Sequence, residues 1–217
     1  MMTPREWIKL LRGAARPGLT GTPVIEGGDG LVWAQSFRDG AGHRRAIDPW
    51  LLARVLRVKR DEIHEGASED RTQPWLGVWR AAEAGELPRL ERDDGPLFPS
   101  LHDQAIEVWT EGELCGLHGL GWATGREPEL TPRLVSAARW LIENIQPDNA
   151  TSHPWGVQVF ATLGSDDVEA DMYAQTLLHN ALAGLSEPDV LSALILWDGA
   201  DWLESRIRPA AGERGSR

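Results

Sequence analysis

From Leu101 onward the chain is punctuated as a run of helices. Thr131-Pro132, Ser152-His153-Pro154, Ser165-Asp166-Asp167 and Ser186-Glu187-Pro188 each set a hydroxyl before a proline or an acidic first turn. Helix starts are built this way because the first turn has N–H groups without intrahelical acceptors, which a side-chain oxygen can accept from and a proline does not possess. Between these starts, Leu134, Val135, Ala138, Leu141, Ile142 and Ile145 follow one helical face, and Leu191, Leu194, Ile195 and Trp202 follow another. Such stripes must be covered by partner helices. Leu114 to Ala123 also looks like Trp155 to Leu163, and Leu134 to Asn144 looks like Ala170 to Asn180, at a spacing of about 40 residues that suits an αα-hairpin. The pattern predicts a mainly α fold of antiparallel, repeat-like helical pairs over residues 101–208, followed by a small, polar, mobile tail at 209–217.

The first hundred residues read as a more irregular segment. A short helical start is expected around Trp7 to Leu11. Val24-Ile25-Glu26-Gly27-Gly28-Asp29-Gly30-Leu31-Val32-Trp33 reads as two short strands around a glycine turn, a small β-hairpin. Asp48 and Pro49 open a helix with an apolar stripe of Leu51, Leu52, Val55, Leu56 and Val58, closed by the cationic Arg57-Val58-Lys59-Arg60. A second helix is expected from Pro74, carrying Trp75, Leu76 and Trp79. The charged, proline-punctuated stretch 61–100 around it is suited to wrap the body or cover a cleft.

At 217 residues one core can serve the whole chain. The net charge of -11, from 33 acidic against 22 basic residues, argues against nucleic acid and anionic membrane as partners. No apolar run is long enough to span a bilayer. The single cysteine, Cys115, and an amino terminus without a signal-like apolar run fit a reducing cytoplasm. Eleven tryptophans beside one tyrosine and three phenylalanines predict indoles as core anchors, each with an N–H that needs an acceptor.

Chemistry concentrates on one segment. If Glu111 to Thr124 is helical, Glu111, Cys115, His118 and Trp122 share a stripe, and carboxylate, thiolate and imidazole are the ligand types of zinc. The same stripe admits a cysteine nucleophile beside a histidine. On the opposite side Gly112, Gly116 and Gly119 would let a neighbour approach closely, leaving Cys115 as a small buried residue. His102, Asp103 and Glu107 form a further isolated group. His153 reads as part of a cap and His179 as a hydrogen-bonded core residue. Asp198 is an anomaly, because a carboxylate inside the stripe Leu191, Leu194, Ile195, Trp202 requires an arginine, a tryptophan N–H or a histidine.

Trp140-Leu141 with Gln146-Pro147-Asp148-Asn149 and Trp155 resembles the Gln-Trp type of repeat of the α/α-toroid proteins related to terpenoid cyclases and protein prenyltransferases. The resemblance implies α/α packing and a pocket for an apolar or isoprenoid-like ligand. Glu113 with Cys115 is similar to the acidic-x-Cys ligand pair of the prenyltransferases, whereas Asp166-Asp167-Val168-Glu169 is followed by Ala170 and not by the aspartate of a diphosphate-type motif. Taken together, the sequence is read as an acidic helical scaffold or protein-interaction domain, with a protein partner or a second copy of itself. The alternatives are a metal- or cysteine-dependent enzyme using Glu111, Cys115 and His118, with zinc as its metal, and an apolar-ligand-binding α/α domain. No cofactor is otherwise implied.

Overall fold

The computed structural model describes residues 1–63, 73–90, 92–99, 105–146, 153–183 and 188–207. The described residues form ten helices and no strand: α1 (Pro4–Gly18), α2 (Pro23–Glu26), α3 (Gly30–Ser36), α4 (Asp48–Leu56), α5 (Pro74–Ala84), α6 (Ile106–Ala123), α7 (Thr131–Asn144), α8 (Val157–Leu163), α9 (Val168–Leu182) and α10 (Val190–Ile207). None is long and apolar enough to cross a membrane. The tail 209–217, His102, Asp103 and Pro147 to Asn149 of the toroid-like motif lie outside the described residues.

The helical reading of the second half holds, with aspartate capping where serine was expected. Asp167 accepts from the N–H groups of Glu169 and Ala170 to open α9, and Asp189 accepts from Leu191 and Ser192 to open α10. Their predicted stripes are buried at Leu134, Ala138 and Leu141 of α7 and at Leu191, Leu194, Ile195 and Trp202 of α10.

The β-hairpin is not there. Pro23 sits in the first turn of α2, where its fixed φ already suits a helix. Gly27 and Gly28, at φ 75° and 116°, end that helix instead of turning a ladder. Asp29 then caps α3 by accepting from Leu31 and Val32. An aspartate after a glycine pair thus served as a helix start, and local capping outweighed the β-propensity of Val24, Ile25, Val32 and Trp33.

The two halves share one core. Helix α1 opens with a capping box, Thr3 accepting from Glu6 N–H while Glu6 accepts from Thr3 N–H. Its stripe of Trp7, Leu11 and Ala15 is fully buried, and the helix packs along α10. The predicted small-residue stripe of α6 is where α5 and the following loop come closest. A Cβ at Gly112 would lie 2.4 Å from the Trp75 ring, one at Gly116 2.5 Å from Phe98, and one at Gly119 2.8 Å from Trp79. Glycine therefore costs α6 helix propensity but admits three aromatic rings onto its backbone.

The loop between α5 and α6 is anchored by two side chains that bond its backbone. Arg133 of α7 donates to the carbonyls of Arg92, Gly95 and Pro96 at 2.9, 2.8 and 2.8 Å. Glu113 of α6, fully buried, accepts from the N–H groups of Leu97, at 2.8 Å, and Phe98. These bonds satisfy a run of backbone groups that has no helix of its own to pair with.

Candidate functional site

Asp198 lies in the middle of α10 with a side chain only 2% exposed. The three kinds of donor that its position demanded are all present. Arg54 Nε of α4 reaches Oδ1 at 3.2 Å, and Trp122 Nε1 and His118 Nε2, both of α6, reach Oδ2 at 2.7 and 2.9 Å. His118 is completely buried, stacked on Trp79 at 5.5 Å and met edge-on by Trp155 at 5.4 Å. Its Nδ1 accepts from Gly156 N–H at 3.2 Å, so the ring proton resides on Nε2 and is donated to Asp198. Gly156 can present that N–H because it sits at φ 74°, the left-handed conformation that side chains disfavour.

The electrostatics of this cluster follow from its one full cation. Burial pushes the Asp198 carboxyl up, but Arg54, with help from His118 and Trp122, holds it below the usual carboxylate range. Burial lowers His118 further than Asp198 raises it, so the imidazole is neutral. The cluster is therefore an Arg54–Asp198 ion pair steadied by two neutral donors.

Arg54 and Trp122 are also the floor of an open cleft of about 720 Å³. Trp50, Trp79, Trp122 and Trp202 wall it, drawn from α4, α5, α6 and α10. Guanidinium groups lie over three of these rings: Arg54 over Trp122 at 3.4 Å from the ring centroid, Arg60 over Trp50 at 4.8 Å and Arg206 over Trp202 at 4.8 Å. Arg60 bonds Glu83 at 2.6 Å, and Arg126 donates to the carbonyls of Ala82 and Glu83. Arg206 donates to Thr124 Oγ1 and Gly121 O. The last turns of α4, α5, α6 and α10 all meet here, as Arg54, Glu83, Trp122 and Arg206 lie in them. Helix carboxyl ends carry partial negative charge, which is the physical reason arginines gather at this one place in an acidic chain.

Of the residues singled out from sequence, Glu111 and Cys115 line a second, smaller cavity of about 340 Å³ with Arg44, Arg45, Trp75 and Trp155. Glu111 Oε1 lies 2.7 Å from His153 Nδ1, so His153 is a hydrogen-bond partner of this carboxylate, and the cap position of α8 is held by Gly156. Burial raises the Glu111 carboxyl, but His153 brings it below its ordinary value. Burial pushes the Cys115 thiol well up, leaving it protonated. His118 takes no part in this cavity, since both its nitrogens serve Asp198 and Gly156. Among the described residues no three His, Cys, Asp or Glu side chains are grouped as for a metal ion. Nearby Asp48, buried and bonded to Arg45 N–H, is raised to about 6 by burial. His179 is exposed near the end of α9, not a core residue.

Sequence reasoning reached Asp198, Trp122 and His118 but not the cleft. Its walls come from four segments with no shared spacing, and a tryptophan over a core and one over a cleft have the same local pattern. No protein-family model, curated protein or solved structure matches the chain.

Proposed function

We propose that this chain is a small-molecule-binding helical domain and that the tryptophan-walled cleft is its site. One observation carries the reading: four indoles from four different helices, held by the Asp198 cluster and by arginine stacking, enclose about 720 Å³, a volume within the usual range of ligand sites. The reading takes up the apolar-ligand alternative drawn from the sequence. The test is a thermal-shift screen of small aromatic and apolar compounds on the wild-type chain and on Trp50→Ala/Trp202→Ala, joined to mass spectrometry of whatever the purified chain retains. A ligand present at a hundred times its Kd stabilises by about 2.7 kcal/mol. Hits that shift the double variant as much as the wild type would remove the cleft from consideration.

The interaction-domain reading has its own support. Val168 and Met172, one turn apart on α9, are 58% and 62% exposed, a small apolar face that a protein partner or a second copy could cover. Sedimentation across concentration, with Val168→Ser/Met172→Ser as the control, checks it. The net charge supports partners other than nucleic acid or membrane, and the lone cysteine supports a cytoplasmic setting. The repeat-like reading makes α6–α7 and α8–α9 two copies of one helical pair, to be checked by superposing them. The zinc reading of Glu111, Cys115 and His118 is checked by elemental analysis.

A further inference from the structure

Charge by itself does not select a ligand for the cleft. Its lining holds the cations Arg54, Lys59, Arg60, Arg126 and Arg206 and the acids Asp61 and Glu83. Four helix carboxyl ends bring about half a negative charge each, and Asp198 stands directly behind Arg54. The sum is close to neutral. In a chain of net charge -11 this is already a local exception, but it exerts no strong pull on either sign.

The hydrogen-bonding inventory, in contrast, leans towards donors, with Asp61 the acid of the lining that no cation of the cleft matches among the described residues. Arg54 is matched by Asp198 and Arg60 by Glu83. Arg126 and Arg206 meet only neutral oxygens among the described residues, the carbonyls of Ala82, Glu83 and Gly121 and the hydroxyl of Thr124. These contacts use one terminal nitrogen of each guanidinium, and the fork offers five N–H donors. The indole N–H groups of Trp79, Trp122 and Trp202 are bonded to Cys115 O, Asp198 and Gly121 O. Trp50, only 6% exposed, has a buried N–H with no acceptor among the described residues. The donors the cleft leaves unused are thus the guanidinium N–H groups of Arg126 and Arg206, and a guanidinium already lying on an indole can take a second ring on its outer face.

Resting on the cleft being a ligand site, we infer that its ligand is a small organic anion: a flat, unsaturated body bearing one carboxylate or phosphate, with Arg126 and Arg206 as the groups that bind the anionic end. A neutral ligand gives the forks of Arg126 and Arg206 no charged acceptor, and a cation finds the Glu83 carboxylate already bonded to Arg60, with Asp61 the one other acid of the lining. A carboxylate or phosphate accepts from both forks and is the geometry a guanidinium pairs with best.

The experiment holds the ring constant and changes the charge. Naphthoate, naphthyl phosphate, naphthalenemethanol and naphthylmethylamine are titrated calorimetrically into the wild-type chain and into Arg126→Gln/Arg206→Gln, whose fold is checked by circular dichroism. The expected result is binding of at least one anion about tenfold or more tighter than the alcohol, with the amine weakest. In the double variant that preference disappears, and the anions bind no tighter than the alcohol. The two anions separate a carboxylate site from a phosphate site. Equal binding of all four, or tightest binding of the amine, overturns the anion inference and leaves the ligand site standing. An anion preference that survives in the double variant overturns the assignment to Arg126 and Arg206. Binding of none, with an empty extract, removes the ligand site and this inference together.

Discussion

Helix α6 separates two buried carboxylates that the protein treats in opposite ways. On the loop side, Glu113 is held by two backbone N–H groups, and burial raises its carboxyl to about 7 despite them and despite Arg133. On the cleft side, Asp198 is just as buried yet falls below the carboxylate range, because a guanidinium bonds it directly. Neutral donors satisfy lone pairs but do not offset desolvation, whereas a bonded cation does. The difference suits the two tasks. Glu113 has only to fix a loop, which it does in either protonation state. Asp198 has to fix the positions of Arg54 and Trp122 in the cleft floor, which depends on its staying ionised.

The largest effect expected from this contrast is that of Asp198→Ala. Removing the carboxylate strands His118 and Trp122 as buried donors and leaves Arg54 without its partner, so a loss of about 3 to 5 kcal/mol in denaturant unfolding is expected. A loss under about 1 kcal/mol would place the ion pair in solvent and dissolve the comparison.

Next comes pH. A carboxyl raised from 4.5 to about 7 binds its proton more tightly in the folded state, so stability is full below pH 4.5 and falls as pH rises towards 7. The fall from Glu113 reaches on the order of 3 kcal/mol. Asp48, raised to about 6, adds a similar fall at lower pH, while His118, lowered by burial, opposes both by losing stability as pH drops below 6.5. The difference between wild type and Glu113→Gln isolates the first contribution. That difference should slope between pH 5 and pH 7, and a flat one would mean that Glu113 is ionised like Asp198. Asp198 itself should matter to the pH profile only below its unfolded value of 3.8, where protonation removes the stability its partners provide.

Smaller again is Gly119→Ala. Its new methyl meets the Trp79 ring that stacks on His118, and overpacking of this kind costs about 1 to 3 kcal/mol. Because Trp79 also walls the cleft, binding of a cleft ligand should weaken in the same variant, while Gly13→Ala, with open space around it, should do neither. The smallest effect is that of Cys115→Ala, expected to cost under about 1 kcal/mol with slow thiol modification in the wild type, since the sulfur is buried and protonated. Stoichiometric zinc lost with this substitution would instead make α6 a ligand-bearing helix.

The chain's own pattern determined the helices of the second half, the burial of their stripes and the glycine face of α6, because caps, apolar periods and absent side chains act within a few residues of where they are written. It also determined that Asp198 needed partners, since a carboxylate in an apolar stripe has no local means of staying charged. Tertiary structure decided which partners came, and here Arg54 stands 144 residues away in sequence. It decided that Glu111 and His118, seven residues apart on one helix, serve different neighbourhoods, and that residues 24–33 hold the end of α2 and the start of α3, where capping by Asp29 outweighed a strand-like composition. Above all it decided the cleft. Four helix carboxyl ends meet only when the whole chain is packed, and their partial charges, which no local window contains, account for why arginines such as Arg54 and Arg206 assemble in one place beside Trp122 and Trp202.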